Sequence, residues 1–119
     1  MELKIFDVNH KKIAEVVADE VVINDNRDAL DMMVNAGYLE AESVIMNQKH
    51  FNEGFFDLRT GMAGEILQKY VNYKMKLAII GDFEKYQSDS LNAFIIECNR
   101  GNSIFFVADR EAAIDKLAS

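Results

Sequence analysis

Proline and tryptophan are missing from this chain, and cysteine occurs once, at Cys98. Without proline no turn can lean on a preset φ, so reversals must rest on glycine and asparagine, with Asn9, Gly37, Gly54, Gly81 and Gly101 as the punctuation. A lone cysteine excludes an internal disulfide and zinc sites built from CxxC pairs. The histidines form no ligand-spaced pair, so no metal and no cofactor is expected. No apolar run approaches the roughly 20 residues of a membrane span, which argues against a membrane partner. Met1-Glu2-Leu3-Lys4 leads straight into an alternating pattern, with no basic region before an apolar stretch; no secretory signal is visible and a cytoplasmic location is the expectation. Basic residues are also in short supply. Thirteen against twenty acidic residues give a net charge of −7, which repels phosphate backbones, so nucleic acid is not an expected partner. The longest basic cluster, Lys69 to Lys76, is broken by Tyr70, Val71, Tyr73 and Met75 and reads as a helix C-terminus followed by a strand.

What remains is ample for folding. The 119 residues, half of them hydrophobic, suffice for one domain, 1–119, that buries roughly two thirds of its unfolded surface. Leu3 to Val8 and Lys12 to Val17 alternate like strands, and Asn9-His10 supplies a tight reversal between them. Asn24-Asp25, with Asp28 three residues on, announces a helix that should run to about Ala36 and stop at Gly37. Its apolar arc, from Ala29 to Ala36, is wider than one sheet face needs. Ser43 to Asn47 reads as a buried strand, and a polar loop, Gln48 to Gly54, follows. The next helix carries Met62, Ala63, Ile66, Leu67, Tyr70 and Tyr73 on one side, with Glu65 and Lys69 spaced for an ion pair. Lys76 to Ile80 is apolar on both faces, as in a central parallel strand, and ends at Gly81-Asp82. A third helix starts near Ser88 or Ser90; Ile104 to Val107 is the last strand, and Arg110 to Ala118 the last helix. The order ββαβαβαβα implies an α/β fold: a mostly parallel mixed sheet opened by a β-hairpin, with helices packed on it. In such sheets ligands and partners meet the carboxyl ends of the parallel strands, here Asn47 to Gly54, Gly81 to Ser88 and Ala108-Asp109.

Two strings carry a resemblance that spans essentially the whole chain: Phe55-Phe56-Asp57-Leu58 with Thr60-Gly61 and Ala63 to Lys69, then Asn72-Tyr73, Lys76 to Ile79 and Gly81-Asp82-Phe83. Tyr86, Ser88, Ser90-Leu91, Phe94-Ile95, Glu97-Cys98-Asn99, Gly101 and Phe105-Phe106 continue it. They resemble an uncharacterised bacterial domain-of-unknown-function family, numbered four-one-eight-zero, which implies no particular activity. The element order, and Thr60-Gly61-Met62-Ala63 opening a helix, also look like the STAS domains of anti-sigma-factor antagonists. That likeness implies a protein-interaction or regulatory module with Thr60 at the phosphoacceptor position.

The candidate site follows from helix-start physics. Unpaired N–H groups and the positive end of the macrodipole favour an anion or a phosphoryl group, and Arg59, Thr60 and Gly61 stand where the second helix should begin, with Thr60 suited to be its N-cap. His50 and Asp82, with Asp109, emerge from neighbouring loops and could pair a base with a carboxylate; no nucleophile elbow accompanies them, so an enzyme is not the favoured reading and no catalytic residue is assigned. Cys98 falls on the apolar stripe of the third helix and should be a core thiol. Phe51, Phe55, Phe56, Phe83 and Tyr86 cluster in two loops, as anchors or as an interaction surface. Met32 and Met33 fit either a self-association face or burial. Three functions compete: a protein-binding or regulatory module, a binder or hydrolase of small anionic molecules using the same rim, and a structural homodimer.

Overall fold

The computed structural model describes residues 1–119. The expected order of elements is present: β1 (Glu2–Val8), β2 (Lys11–Val17), α1 (Asn26–Tyr38), β3 (Ser43–Asn47), α2 (Met62–Asn72), β4 (Lys76–Ile80), α3 (Asp89–Arg100), β5 (Ile104–Val107) and α4 (Arg110–Leu117). Asn9 and His10 take φ of 52° and 66°, the double left-handed turn that matches the twist of a two-residue hairpin. Asp25 caps α1 by accepting the Asp28 N–H, and Ser88 caps α3 by accepting that of Leu91. α1 passes through Gly37 and ends one residue later, so this glycine stops nothing; its Cα faces Met75 closely enough that an added methyl would touch it. Glu65 does not pair with Lys69 and instead accepts from the Asn26 side chain at 2.7 Å, tying α2 to the start of α1.

The five strands lie in the order β1-β2-β3-β4-β5. The hairpin pair is antiparallel and every later pair is parallel. Because each crossover moves one strand further in the same direction, right-handed connections must put all three crossover helices on one face. The core bears this out. Ala29, Met32, Met33 and Ala36 of α1, Ala63, Ile66, Leu67 and Tyr70 of α2, and Leu91 of α3 pack with Ala14, Val44, Met46, Leu77, Ile79 and Phe106. Alternate residues of the same strands, Ile13, Ile45, Ala78 and Phe105, point the other way, under Ala113 and Leu117 of α4. Central strands covered on both faces explain why β3 and β4 read as unbroken apolar runs.

A sheet that never reverses its winding has no switch point, and hence none of the crevice that opens where neighbouring crossovers depart to opposite faces. The carboxyl rim of β3 and β4 is therefore shaped by its loops alone.

Candidate functional site

The loop after β3 folds into three short 3-10 turns, Gln48–His50, Glu53–Phe56 and Leu58–Thr60, begun by Asn47, Asn52 and Asp57, whose side chains accept from the backbone of the turns they open. The first turn carries two side chains that hold the rim together. His50 is 3% exposed. Its Nδ1 accepts the Asn47 N–H at 2.9 Å and its Nε2 lies 2.9 Å from the Ala18 carbonyl oxygen, so the ring is neutral with its proton on Nε2, and it joins the exits of β2 and β3. Burial lowers its pKa below the ordinary value, more than the Ala18 bond and nearby carboxylates raise it. The second is Gln48. Its Oε1 accepts the Asp82 N–H at 3.0 Å, while its Nε2 donates to the Asp82 carbonyl at 3.2 Å and lies 2.8 Å from the Tyr86 hydroxyl, joining the exits of β3 and β4.

The aromatic residues fill the space behind this latch. Phe51, Phe55 and Phe56 are buried, and Phe51 and Phe55 stand 4.4 Å apart between ring centroids. Tyr86 stacks on Phe56 at 4.9 Å and 13°, and Phe83 bridges Phe56 to Phe106. Phe51 and Phe55 are thus anchors inside the loop, whereas Phe83 and Tyr86 are half-buried at its surface. Met32 is likewise 3% exposed and lies in the core, whereas Val34 of the same arc is 63% exposed.

Thr60 differs from its expected place. Gly61, with φ of 76°, ends the preceding 3-10 turn and is the N-cap of α2, in a left-handed conformation that only glycine takes freely. The Thr60 hydroxyl still serves the helix start by accepting the Met62 N–H at 3.2 Å. It also lies 2.7 Å from the Gly54 carbonyl and 2.9 Å from that of Asp57, sharing one proton between them. Arg59 is not a free cation. Its Nε and Nη2 donate to the two carboxylate oxygens of Asp57 at 3.0 and 2.8 Å, which holds the Asp57 carboxyl below the usual carboxylate range.

Arg59, Asp57 and Leu58 share an open groove of about 450 Å³ with Glu53, Phe56, Tyr86, Ser88 and Ser90. Arg59 therefore adjoins the second loop through Tyr86 and Ser88, with Asp82 one step behind across Gln48, whereas Thr60 does not line the groove. His50 lies elsewhere, behind a second groove, of about 240 Å³, that includes Asn47, Lys49, Ile80 and Val17 on the α4 side of the sheet. Asp82 accepts the Glu84 N–H and Asp109 caps α4 through the Ala112 N–H, so neither carboxylate orients the imidazole. Cys98 is half-buried, and burial, then Glu97, pushes its thiol up to about 11. No group of three or more His, Cys, Asp or Glu side chains is placed to hold a metal ion, and no helix is long and apolar enough to cross a membrane.

Gln48 was not among the residues singled out by sequence. Its place depends on strand pairing, which no local pattern carries: parallel register sets Asn47 beside Ile80, hence Gln48 beside Gly81, and a methyl on Gly81 would sit 2.7 Å from the Gln48 Cβ.

Fold and rim together define a mixed α/β protein whose strand exits are bolted into one aromatic-backed surface with an open polar groove. Residues 8–117 match the model of the family described as Domain of unknown function (DUF4180), and the chain belongs to that family. No curated protein and no solved structure matches it.

Proposed function

We propose that this chain is a protein-binding module that uses the rim formed by residues 48–60 and 81–90 to recognise a partner. The observation that supports it is the Gln48 latch. Two loops that would otherwise move independently are held as one surface, so little ordering entropy is lost when a partner docks, and the stacked Phe56 and Tyr86 give the groove a rigid aromatic floor. Hydroxyls of Ser88 and Ser90 and the Asp57–Arg59 pair offer polar contacts around it. A photo-reactive side chain in place of Ser90 should form an adduct with the partner in the source cells, one that disappears with Tyr86→Ala, while the same probe in place of Lys116 on α4 should not. Adducts from position 116 alone would move the binding surface to the other face.

One observation favours a switch at the same rim. The exposed Thr60 hydroxyl pins the turn to Gly54 and Asp57, so a phosphoryl group on Oγ1 removes the shared proton and brings a charge of about −1.5 to −2 beside Asp57, in competition for Arg59. Phosphate found on Thr60 in native material, with adduct formation lost in Thr60→Glu and kept in Thr60→Ser, supports that reading. Unmodified Thr60 in material with an active partner, and an unaffected Thr60→Glu chain, would remove it.

A further inference from the structure

We infer that the β1 edge is an interface for a second copy of this chain, whose own β1 pairs with it antiparallel across a two-fold axis to continue the sheet from one copy into the other. The strand order leaves two edges, β1 and β5, and the chain treats them differently. Along β5 the carbonyls of Ser103 and Val107 accept from Leu77 and Gly81 on the β4 side, so Ile104 and Phe106 turn their backbone groups outward. Asn99 of α3 then acts as a substitute strand: its Oδ1 accepts the Phe106 N–H at 2.8 Å and its Nδ2 donates to the Phe106 carbonyl at 3.2 Å. That edge is closed at its centre.

The β1 edge has no such device. Its seven residues pair with β2 without a bulge, from Glu2 opposite Val17 to Val8 opposite Lys11. No loop or side chain supplies an outer partner for its backbone, and no proline interrupts it. A long regular edge of this kind is a template for another strand. With only one open edge per molecule, self-pairing consumes both and stops at a dimer; with two it would propagate.

Charge selects the register. Centring the axis on Lys4 sets lysine against lysine. Centring it on Ile5 overlaps all of β1 and sets Ile5 against itself, Lys4 against Phe6, Leu3 against Asp7 and Glu2 against Val8, so no like charges meet directly. β3 lies two strands inward, about 10 Å away, so both rims stay open and the dimer presents two of them.

Sedimentation of the full chain at micromolar to millimolar concentration tests this. The expected mass is twice the 13.5 kDa of one chain, and dilution to monomer should speed amide exchange in β1 while leaving β5 unchanged. In a Cys98→Ser background, Ile5→Cys should give a disulfide-linked dimer on mild oxidation. Asn99→Ala, by opening the second edge, should produce masses beyond the dimer that grow with concentration. A monomer throughout the range, or a dimer whose dilution leaves β1 exchange unaltered, overturns the inference; an Asn99→Ala chain that stops at the doubled mass overturns the account of why assembly closes.

Discussion

Gln48 owes its position to the absence of a side chain at the neighbouring strand exit, Gly81. Because Gly81 leaves room for it, Gln48 can present its carboxamide to both backbone groups of Asp82. Gly81→Ala should therefore expel it, lowering stability by about 1–3 kcal/mol in urea denaturation, as overpacking does; a variant as stable as the parent would show that the latch can shift aside at no cost. His50 makes the complementary prediction about pH. Its folded pKa lies below the ordinary 6.5 because burial favours the neutral ring. The unfolded chain takes up a proton first, so the contribution of His50 is complete above about pH 6.5 and declines as pH falls from there toward the folded value. An NMR titration of the His50 ring should show a midpoint under 6.5, and His50→Gln should flatten the stability profile just under that pH. A midpoint at or above 6.5 contradicts the buried neutral ring.

At the scale of elements, the chain was readable wherever local chemistry dominates. The bounds of β3, β4 and β5, the Asp25 and Ser88 caps and the Asn9-His10 turn follow from residue type and spacing. The start of α2 was misplaced because threonine is so good a cap. What decides there is the preceding 3-10 turn, a three-residue feature set by Asp57, and its left-handed exit at Gly61. Two substitutions measure these terms. Asp25→Ala removes a cap that does not line the groove and should cost about 0.5–2 kcal/mol with no change in partner binding. Gly61→Ala forces a side chain into φ of 76° and should cost roughly 1–2 kcal/mol while disordering the turn that carries Arg59. Calorimetric melting of both variants, with adduct formation from position 90 as the second readout, separates a general loss of stability from damage to the rim.

For the whole molecule, the layers were legible but the winding was not. Helices covering a mostly parallel sheet follow from the order of elements; that every crossover steps the same way does not, because strand order is decided by long-range pairing that no local pattern encodes. That order removes the switch-point crevice and leaves α4 alone on the second face. The candidate site was legible in its outline, the two loops and their aromatics, and illegible in its joint. Which of Phe51, Phe55, Phe83 and Tyr86 are inside the loop and which face outward depends on how the loops lock, and the locking residue reads in sequence as one more polar loop side chain.

Amide hydrogen exchange at Asp82 tests most directly whether the two loops are one preformed surface. Although Asp82 is exposed, its N–H donates to Gln48 Oε1, so it should exchange far more slowly than a free loop amide, and Gln48→Ala should release it together with amides of both loops. Exchange of Asp82 at the rate of an unstructured chain in the unaltered protein would contradict the account.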